Sequence, residues 1–299
     1  MNLELVKALK VYDLPNASAE LLRCYDNSVY KIEVETRIYA LRICSPKTAR
    51  KQLRAEVAWL SALREDKSLL VPKPVPNKQG DLISYLADRT VVMFEWLPGE
   101  PVSQTMSPEV ARQIGQMMAT LHLHASNYSS DRQTVCYDSS YFFGSNSWWQ
   151  TKARERLADN YQKLVPAIEK VENLMSEMEK SPEQFGMIHS DLHFSNIICD
   201  GEKYAIIDFG DCGMGYYAMD ITVTEAEFKD YDNAEQLITA FRDGYQNKRG
   251  CFPSSEKLEP FGVVGSLLWL EWVFESENQQ VREDKAQWLD SVIRTICDV

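Results

Sequence analysis

The chain has 299 residues, 44% of them hydrophobic and 25% charged, which is enough to bury a sizeable core and excludes a disordered polymer. Thirty-two Lys and Arg stand against 44 Asp and Glu, a net charge of −12, which disfavours nucleic acid and anionic membrane as partners. The imbalance is uneven: residues 1–100 carry 15 basic and 13 acidic side chains (+2), and residues 101–299 carry 17 and 31 (−14). Such an acidic surface serves solubility first, and it could also favour a cationic small molecule.

The N-terminal pattern predicts an amphipathic helix over residues 2–10, with no signal peptide. Runs at Val29–Val34 and Ile38–Ile43, separated by Glu35-Thr36-Arg37, predict an antiparallel hairpin. A basic helix follows, with Leu53, Val57 and Leu60 at helical spacing. Pro72, Pro74 and Pro76 break that pattern before a second strand pair, Leu82–Leu86 and Thr90–Trp96, across Ala87-Asp88. Leu97-Pro98-Gly99-Glu100-Pro101 is the hinge candidate.

Beyond it, Ser107-Pro108-Glu109 is a helix start, and Val110, Ile114, Met117, Met118 and Leu121 mark one apolar face. Further helical patterns cover 147–180, 233–248, 256–278 and 283–297, interrupted by one β-rich island from Met187 to Phe209. The seven cysteines are scattered without a CxxC pair, which fits a reduced, cytoplasmic protein. The apolar stretch Val263–Phe274 is broken by Glu271 and too short to span a bilayer.

The island holds the chemistry. It reads Met187-Ile188-His189-Ser190-Asp191-Leu192-His193-Phe194-Ser195-Asn196-Ile197-Ile198, then a Gly201-Glu202 turn, then Ala205-Ile206-Ile207-Asp208-Phe209-Gly210-Asp211. Short apolar runs closed by carboxylates are expected to gather Asp191, Asn196 and Asp208 around one mouth. Phosphoryl transfer needs such a set: one carboxylate to orient a hydroxyl, and an amide and a second carboxylate to hold Mg²⁺ against nucleotide phosphates. The competing reading is that Asp and Asn are ordinary turn formers.

Here the sequence resembles the aminoglycoside phosphotransferase and choline kinase-like family, relatives of protein kinases. His189-Ser190-Asp191 with Asn196 matches its HxDxxxxN loop, and Ile207-Asp208-Phe209-Gly210-Asp211 its IDFxD segment. Gly215 and Asp220-Ile221 resemble the segment downstream. Asn27-Ser28-Val29-Tyr30-Lys31 with Tyr39-Ala40-Leu41-Arg42-Ile43 resembles its nucleotide hairpin, and Val91–Gly99 its adenine-binding strand. The likeness spans about residues 25–225.

The resemblance implies an α+β, protein-kinase-like two-lobe fold: an N-terminal antiparallel sheet plus helix over 1–96, binding nucleotide, and a larger, mainly helical C-lobe over 97–299. It implies ATP as co-substrate, Mg²⁺, and transfer of the γ-phosphoryl group to an alcohol. Asp191 would be the catalytic base or hydroxyl-orienting group, His189 would brace the loop, and Asn196 and Asp208 would bind the metal. Asn27, Ser28, Arg42, Glu56, Phe94, Glu95, Leu97 and Ile207 would surround the nucleotide.

Two departures stand out. Arg42 occupies the position at which the family usually has Lys, with Lys31 as fallback, and an edge-strand arginine that only faces solvent is the competing reading. No GxGxxG loop is present, so phosphate cover falls to Asp26-Asn27-Ser28.

Family substrates include aminoglycosides, choline, ethanolamine and homoserine, and the motifs look nearest to the homoserine kinase type II-like branch. A small, amine-bearing alcohol is the expected acceptor, with Asp211, Glu271 and Trp272 as substrate residues. A protein Ser/Thr kinase and a silent nucleotide-binding pseudokinase are the alternatives. A zinc site is disfavoured: His122 and His124, two apart near a helix end, point about 200° apart. No motif fixes an oligomeric state.

Overall fold

The computed structural model describes residues 3–25, 27–46, 48, 50–87, 89–129, 134–201, 203–276 and 278–297. Asp26, Asp88 and Glu202, named above in two turns and the phosphate-cover segment, lie outside the described residues. The chain forms two compact units. The first holds the residues up to Pro101, Thr134 and Ile197–Gly210; the second holds Val102–Ser129, Val135–Asn196 and the residues from Asp211 on.

In the first unit, α1 (Leu3–Val11) precedes β1 (Ser18–Cys24), β2 (Ser28–Val34) and β3 (Arg37–Ile43). Then come α2 (Arg50–Asp66), β4 (Ser84–Leu86) and β5 (Arg89–Glu95). The sheet order is β1-β2-β3-β5-β4, with all neighbours antiparallel. The expected hairpin and strand pair are both there. β1 is additional: Ser18-Ala19-Glu20-Leu21-Leu22-Arg23-Cys24 lacks clean alternation, its register slips between Leu21 and Arg23, and it lies mostly exposed on the sheet edge.

Strand alternation divides this sheet into two faces. Tyr30, Leu41 and Met93 are register partners, as are Ile43 and Val91, and all pack with Leu5, Ala8 and Leu9 of α1 into one core. The opposite face carries Arg42 paired with Val92 and Ala40 paired with Phe94. Arg42 therefore sits on a central strand and is buried, which overturns the solvent-facing edge reading. Helix α2 buries Leu53, Val57 and Leu60 as the periodicity predicted, and also Glu56 and Trp59. Trp59 meets Phe209 edge-on at 5.4 Å. The hairpin Ile197–Asp200/Lys203–Ile206 completes the unit, and Glu100–Pro101 adds a short third strand to it. Gly99, at φ 137°, passes where a Cβ would lie 2.8 Å from the Cys199 carbonyl carbon.

The second unit opens with α3 (Pro108–Asn127), capped by Ser107, whose hydroxyl accepts from Val110 N at 3.3 Å. It packs against the helix Ala234–Arg249 at very short range: a Cβ on Gly115 would come within 2.0 Å of the Phe241 carbonyl oxygen, and one on Gly244 within 2.1 Å of that of Arg112. Gly213–Tyr216 lies between Cys136–Tyr137 and Phe185–Ile188 in a small sheet.

Three helix boundaries differ from the sequence reading, each for a local reason. The 147–180 stretch is three helices, Trp148–Thr151, Ala153–Leu157 and Asp159–Glu177, with Ala158 in the left-handed half of φ space at +49° between the last two. The 256–278 stretch breaks into Ser255–Leu258, a 3-10 segment Glu259–Val263 that contains Pro260, and Val264–Glu275. The last helix, Gln279–Cys297, starts earlier than 283, because Asn278 Oδ1 accepts from Gln280 N at 2.9 Å and Val281 N at 3.3 Å. No helix of the described residues is long and apolar enough to cross a membrane.

Candidate functional site

In the first unit, strand pairing and one helix contact assemble an ionic cluster. Arg42, on β3, pairs with Glu56 of α2, and its other terminal nitrogen lies 3.7 Å from Asp208 Oδ1. Its guanidinium lies 5.8 Å from the centre of the Phe94 ring. Both Arg42 and Glu56 are almost wholly buried, so neither charge could stand alone. Burial opposes the arginine's charge, but Glu56 and, more weakly, Asp208 outweigh it and hold the group charged. Asp208 has φ 61° and also pairs with Arg23 of β1. Four residues of one unit thus converge: Arg42, Glu56, Asp208 and Phe94.

The other nucleotide candidates lie around the same sheet. Asn27 Oδ1 accepts from Ser45 N at 2.9 Å, which ties the β1–β2 turn to the end of β3. Ser28 opens β2, with its hydroxyl 3.4 Å from Cys24 Sγ. Glu95 closes β5; its carboxylate binds Lys73 at 2.7 Å and its N–H donates to the Lys73 carbonyl. Leu97 and Ile207 are half-buried. Lys31 pairs with Glu33 at 2.6 Å and lies 5.6 Å from the Trp96 ring.

In the second unit, Asp191 lies on a loop whose backbone is pinned from below. Asp220 is fully buried in the helix Tyr217–Phe228 and accepts from His189 N at 2.8 Å and from Ser190 N at 2.7 Å. His122 Nε2 reaches the same carboxylate at 3.2 Å, and Tyr245 Oη meets His122 Nδ1 at 2.9 Å. Burial lowers the His122 pKa although Asp220 opposes the shift, so the ring is neutral: it donates from Nε2 and accepts at Nδ1. His124 instead stacks on Tyr128 at 5.5 Å, so the two histidines diverge around α3. This bracing holds Ser190 at φ 71°, a conformation that costs a non-glycine residue about 1–3 kcal/mol.

The Asp191 carboxylate is occupied on both oxygens. His193 Nε2 lies 3.0 Å from Oδ1, and Asn196 Nδ2 donates to Oδ2 at 3.0 Å. His193 Nδ1 faces Glu227 at 3.3 Å, and Glu227 also accepts from Phe194 N. Held between Asp191 and Glu227, His193 is pushed up to about 10 and is cationic at neutral pH. His189 is buried, and its Nδ1 accepts from Asp191 N at 3.3 Å, a brace within the loop.

Glu271 lines a cavity of about 410 Å³ together with Tyr141, Trp148, Ser140 and the Gly144–Ser147 loop. Tyr137 packs behind that wall: its ring meets Tyr141 at 5.1 Å and its hydroxyl donates to the Asp211 carbonyl at 2.8 Å. Trp272, the other aromatic expected beside Glu271, is exposed and lies outside the cavity wall; Trp148 is the tryptophan there. Asp211 is likewise exposed, and its backbone carbonyl, not its carboxylate, is what Tyr137 holds. Sequence reading missed the His193–Glu227 and His122–Asp220–Tyr245 pairings, because residues 34 to 123 positions apart carry no shared spacing signal.

A model of the phosphotransferase enzyme family (APH) matches residues 20–260. Amicoumacin kinase of Bacillus subtilis (strain 168) is 22% identical over 306 aligned positions, covering 93% of this chain and 88% of the relative. Homoserine kinase of Caulobacter vibrioides (strain NA1000 / CB15N) is 25% identical, covering 89% and 84%. The solved structure of a microcompartment-associated aminopropanol kinase superposes with a TM-score of 0.81 at 24% identity, over 98% of this chain and 94% of that one, and shares the kinase-like α+β fold. On the family match, the chain belongs to the phosphotransferase enzyme family and is a kinase with a hydroxyl group as acceptor.

Proposed function

We propose that the protein moves the γ-phosphoryl group of Mg-ATP to the hydroxyl of a small, amine-bearing alcohol, with Asp191 as the residue that receives the hydroxyl. The observation that carries this reading is the state of Asp191: a half-exposed carboxylate, oriented by His193 and Asn196 on a loop that Asp220 pins. Donors on both oxygens fix its plane, so an incoming hydroxyl meets a preset acceptor. In transfer the γ-phosphorus bond to ADP breaks, the acceptor oxygen bonds to phosphorus, and the hydroxyl proton passes toward Asp191.

The donor chemistry fits Mg²⁺. The Asn196 amide nitrogen is committed to Asp191, which leaves its carbonyl oxygen as ligand, and Asp208 offers carboxylate oxygens; both are hard donors. A bound ion would neutralise phosphate charge. Arg42, held charged by Glu56, would meet phosphate oxygens, and Asn27 and Ser28 would cover them. Phe94 and Ile207 would wall the adenine, and backbone groups at Glu95 and Leu97 would meet its edge.

The test is ADP release with Mg-ATP across amino alcohols. Asp191→Ala should abolish acceptor-dependent ADP formation while ATP binding persists. Normal turnover in that variant would refute the assignment.

A further inference from the structure

The Glu271 cavity has an unusual charge inventory. Glu271 and Glu275 sit four residues apart on the helix Val264–Glu275 and so share one side of it. Glu275 is satisfied: Lys152 Nζ reaches it at 2.6 Å and Trp148 Nε1 donates to it at 3.1 Å. Glu271 has neither hydrogen bond nor ion pair among the described residues. Among the described residues its cavity is otherwise walled by neutral groups, and no Lys or Arg lines it.

We infer that this cavity receives the ammonium group of the phosphoryl acceptor, and that the acceptor is an amino alcohol without a carboxylate. The inference rests on the phosphotransferase reading above and sharpens its substrate class. A half-buried carboxylate with no partner is costly unless a ligand supplies the counter-charge. The Tyr141 and Trp148 rings on the same wall suit a cation, because their faces carry negative potential. The 410 Å³ volume matches a small polar molecule, and Ser145 and Asn146 offer neutral hydrogen-bonding groups to its remaining hydroxyls.

The same inventory excludes an amino acid. A zwitterion would bring its own carboxylate into a cavity whose one charged wall residue is anionic, and Lys152 is already held by Glu275. Burial, with the charge of Glu275 and against the smaller opposing effect of Lys152, raises Glu271 to about 7, so the cavity gains its full negative charge when an ammonium group arrives. Tyr137 supplies continuity with the reacting end: it spans from Tyr141, on the cavity wall, to Ser190 of the catalytic loop.

The decisive comparison uses homoserine and 3-aminopropan-1-ol, which differ by the carboxylate alone, with propane-1,3-diol as the amine-free control. Initial rates of ADP release and calorimetric affinities would be measured for the wild type and Glu271→Gln, with an aminocyclitol as a larger carboxylate-free amine. The carboxylate-free amines should exceed both homoserine and the diol by at least about tenfold in kcat/KM, the scale of one charge-assisted contact. Glu271→Gln should collapse the amine-to-diol ratio by about 10- to 100-fold. Preference for homoserine in rate or affinity, or a ratio unmoved by Glu271→Gln, overturns the inference. If that ratio is unmoved while Asp191→Ala still abolishes turnover, the phosphotransfer reading survives alone. Amines that bind with Glu271-dependent affinity and yet yield no ADP would instead sink the phosphotransfer reading.

Discussion

Asp220→Asn is a change of one atom type that the structure makes expensive. The Asp220 carboxylate accepts from His189 N and His122 Nε2 on Oδ2 and from Ser190 N on Oδ1. An asparagine has one oxygen, so its amide group must face at least one donor. If the nitrogen replaces Oδ2, it confronts the His189 N–H, and His122 must switch tautomer. If it replaces Oδ1, the Ser190 N–H is stranded. Either way a buried, charge-assisted hydrogen bond becomes a donor–donor contact, at a cost of about 2–4 kcal/mol. That is a large share of the 5–15 kcal/mol by which domains are typically stable.

The loss falls on Ser190 and His189, next to Asp191, so kcat should drop at least about tenfold with little change in the KM for ATP. Urea and thermal unfolding, followed by ADP-release kinetics, would measure both effects. The pH dependence gives a second reading. Burial pushes the Asp220 pKa up, but the hydrogen bonds from His122 Nε2 and the His189 N–H pull it below its ordinary value. A carboxylate depressed in the folded state contributes stability above its unfolded pKa, near 4, and loses it as pH falls through the folded value. The wild type should therefore lose stability on the acid side more steeply than Asp220→Asn. A variant within about 0.5 kcal/mol of the wild type, with unchanged kcat, would show that the loop does not depend on this brace.

Removing Arg42 leaves Glu56 charged and 2% exposed, so Arg42→Ala should lose about 3–5 kcal/mol and raise the KM for ATP, whereas Arg42→Lys should recover part of both. Thermal denaturation with and without nucleotide would check it, and an Arg42→Ala protein of native stability would contradict the ion pair. Gly115→Ala should cost about 2–3 kcal/mol, because its Cβ would meet the Phe241 carbonyl at 2.0 Å; Gly262→Ala, with open space around it, is the matched control within about 0.5 kcal/mol. Finally, Glu271 near pH 7 is flanked by Glu275, Lys152 and the Tyr141 phenol, the last pushed above its ordinary range by burial and by Glu271 itself. Ionisation of Glu271 as pH rises should lower the KM for an amine acceptor about tenfold between pH 6 and 8. A pH-flat KM in the wild type would count against that ionisation; Glu271→Gln should be flat.

The one-dimensional signals were strongest where the chemistry is local. His189, Asp191, Asn196 and Asp208 lie within 20 positions of each other, and their types and spacing are what carried the family resemblance. The alternation of β2, β3 and β5 and the cap at Ser107 were equally legible, since backbone hydrogen bonding and side-chain periodicity act over a few residues. β1 escaped because an exposed edge strand needs no apolar alternation.

What tertiary structure alone decided is who neutralises whom. Arg42 looked like a residue with an open role until β3 proved central and α2 laid Glu56 against it. Asp220, His122 and Tyr245 come from three helices, and only the close approach that Gly115 and Gly244 permit brings two of those helices together. The opening charge asymmetry is resolved the same way. Within the −14 of residues 101–299, Asp220, Glu225, Glu227 and Glu275 are each matched by a specific donor, while Glu271 has none among the described residues. Sequence counts the charges, but desolvation and pairing depend on distances between residues far apart in the chain, and only the fold sets those distances.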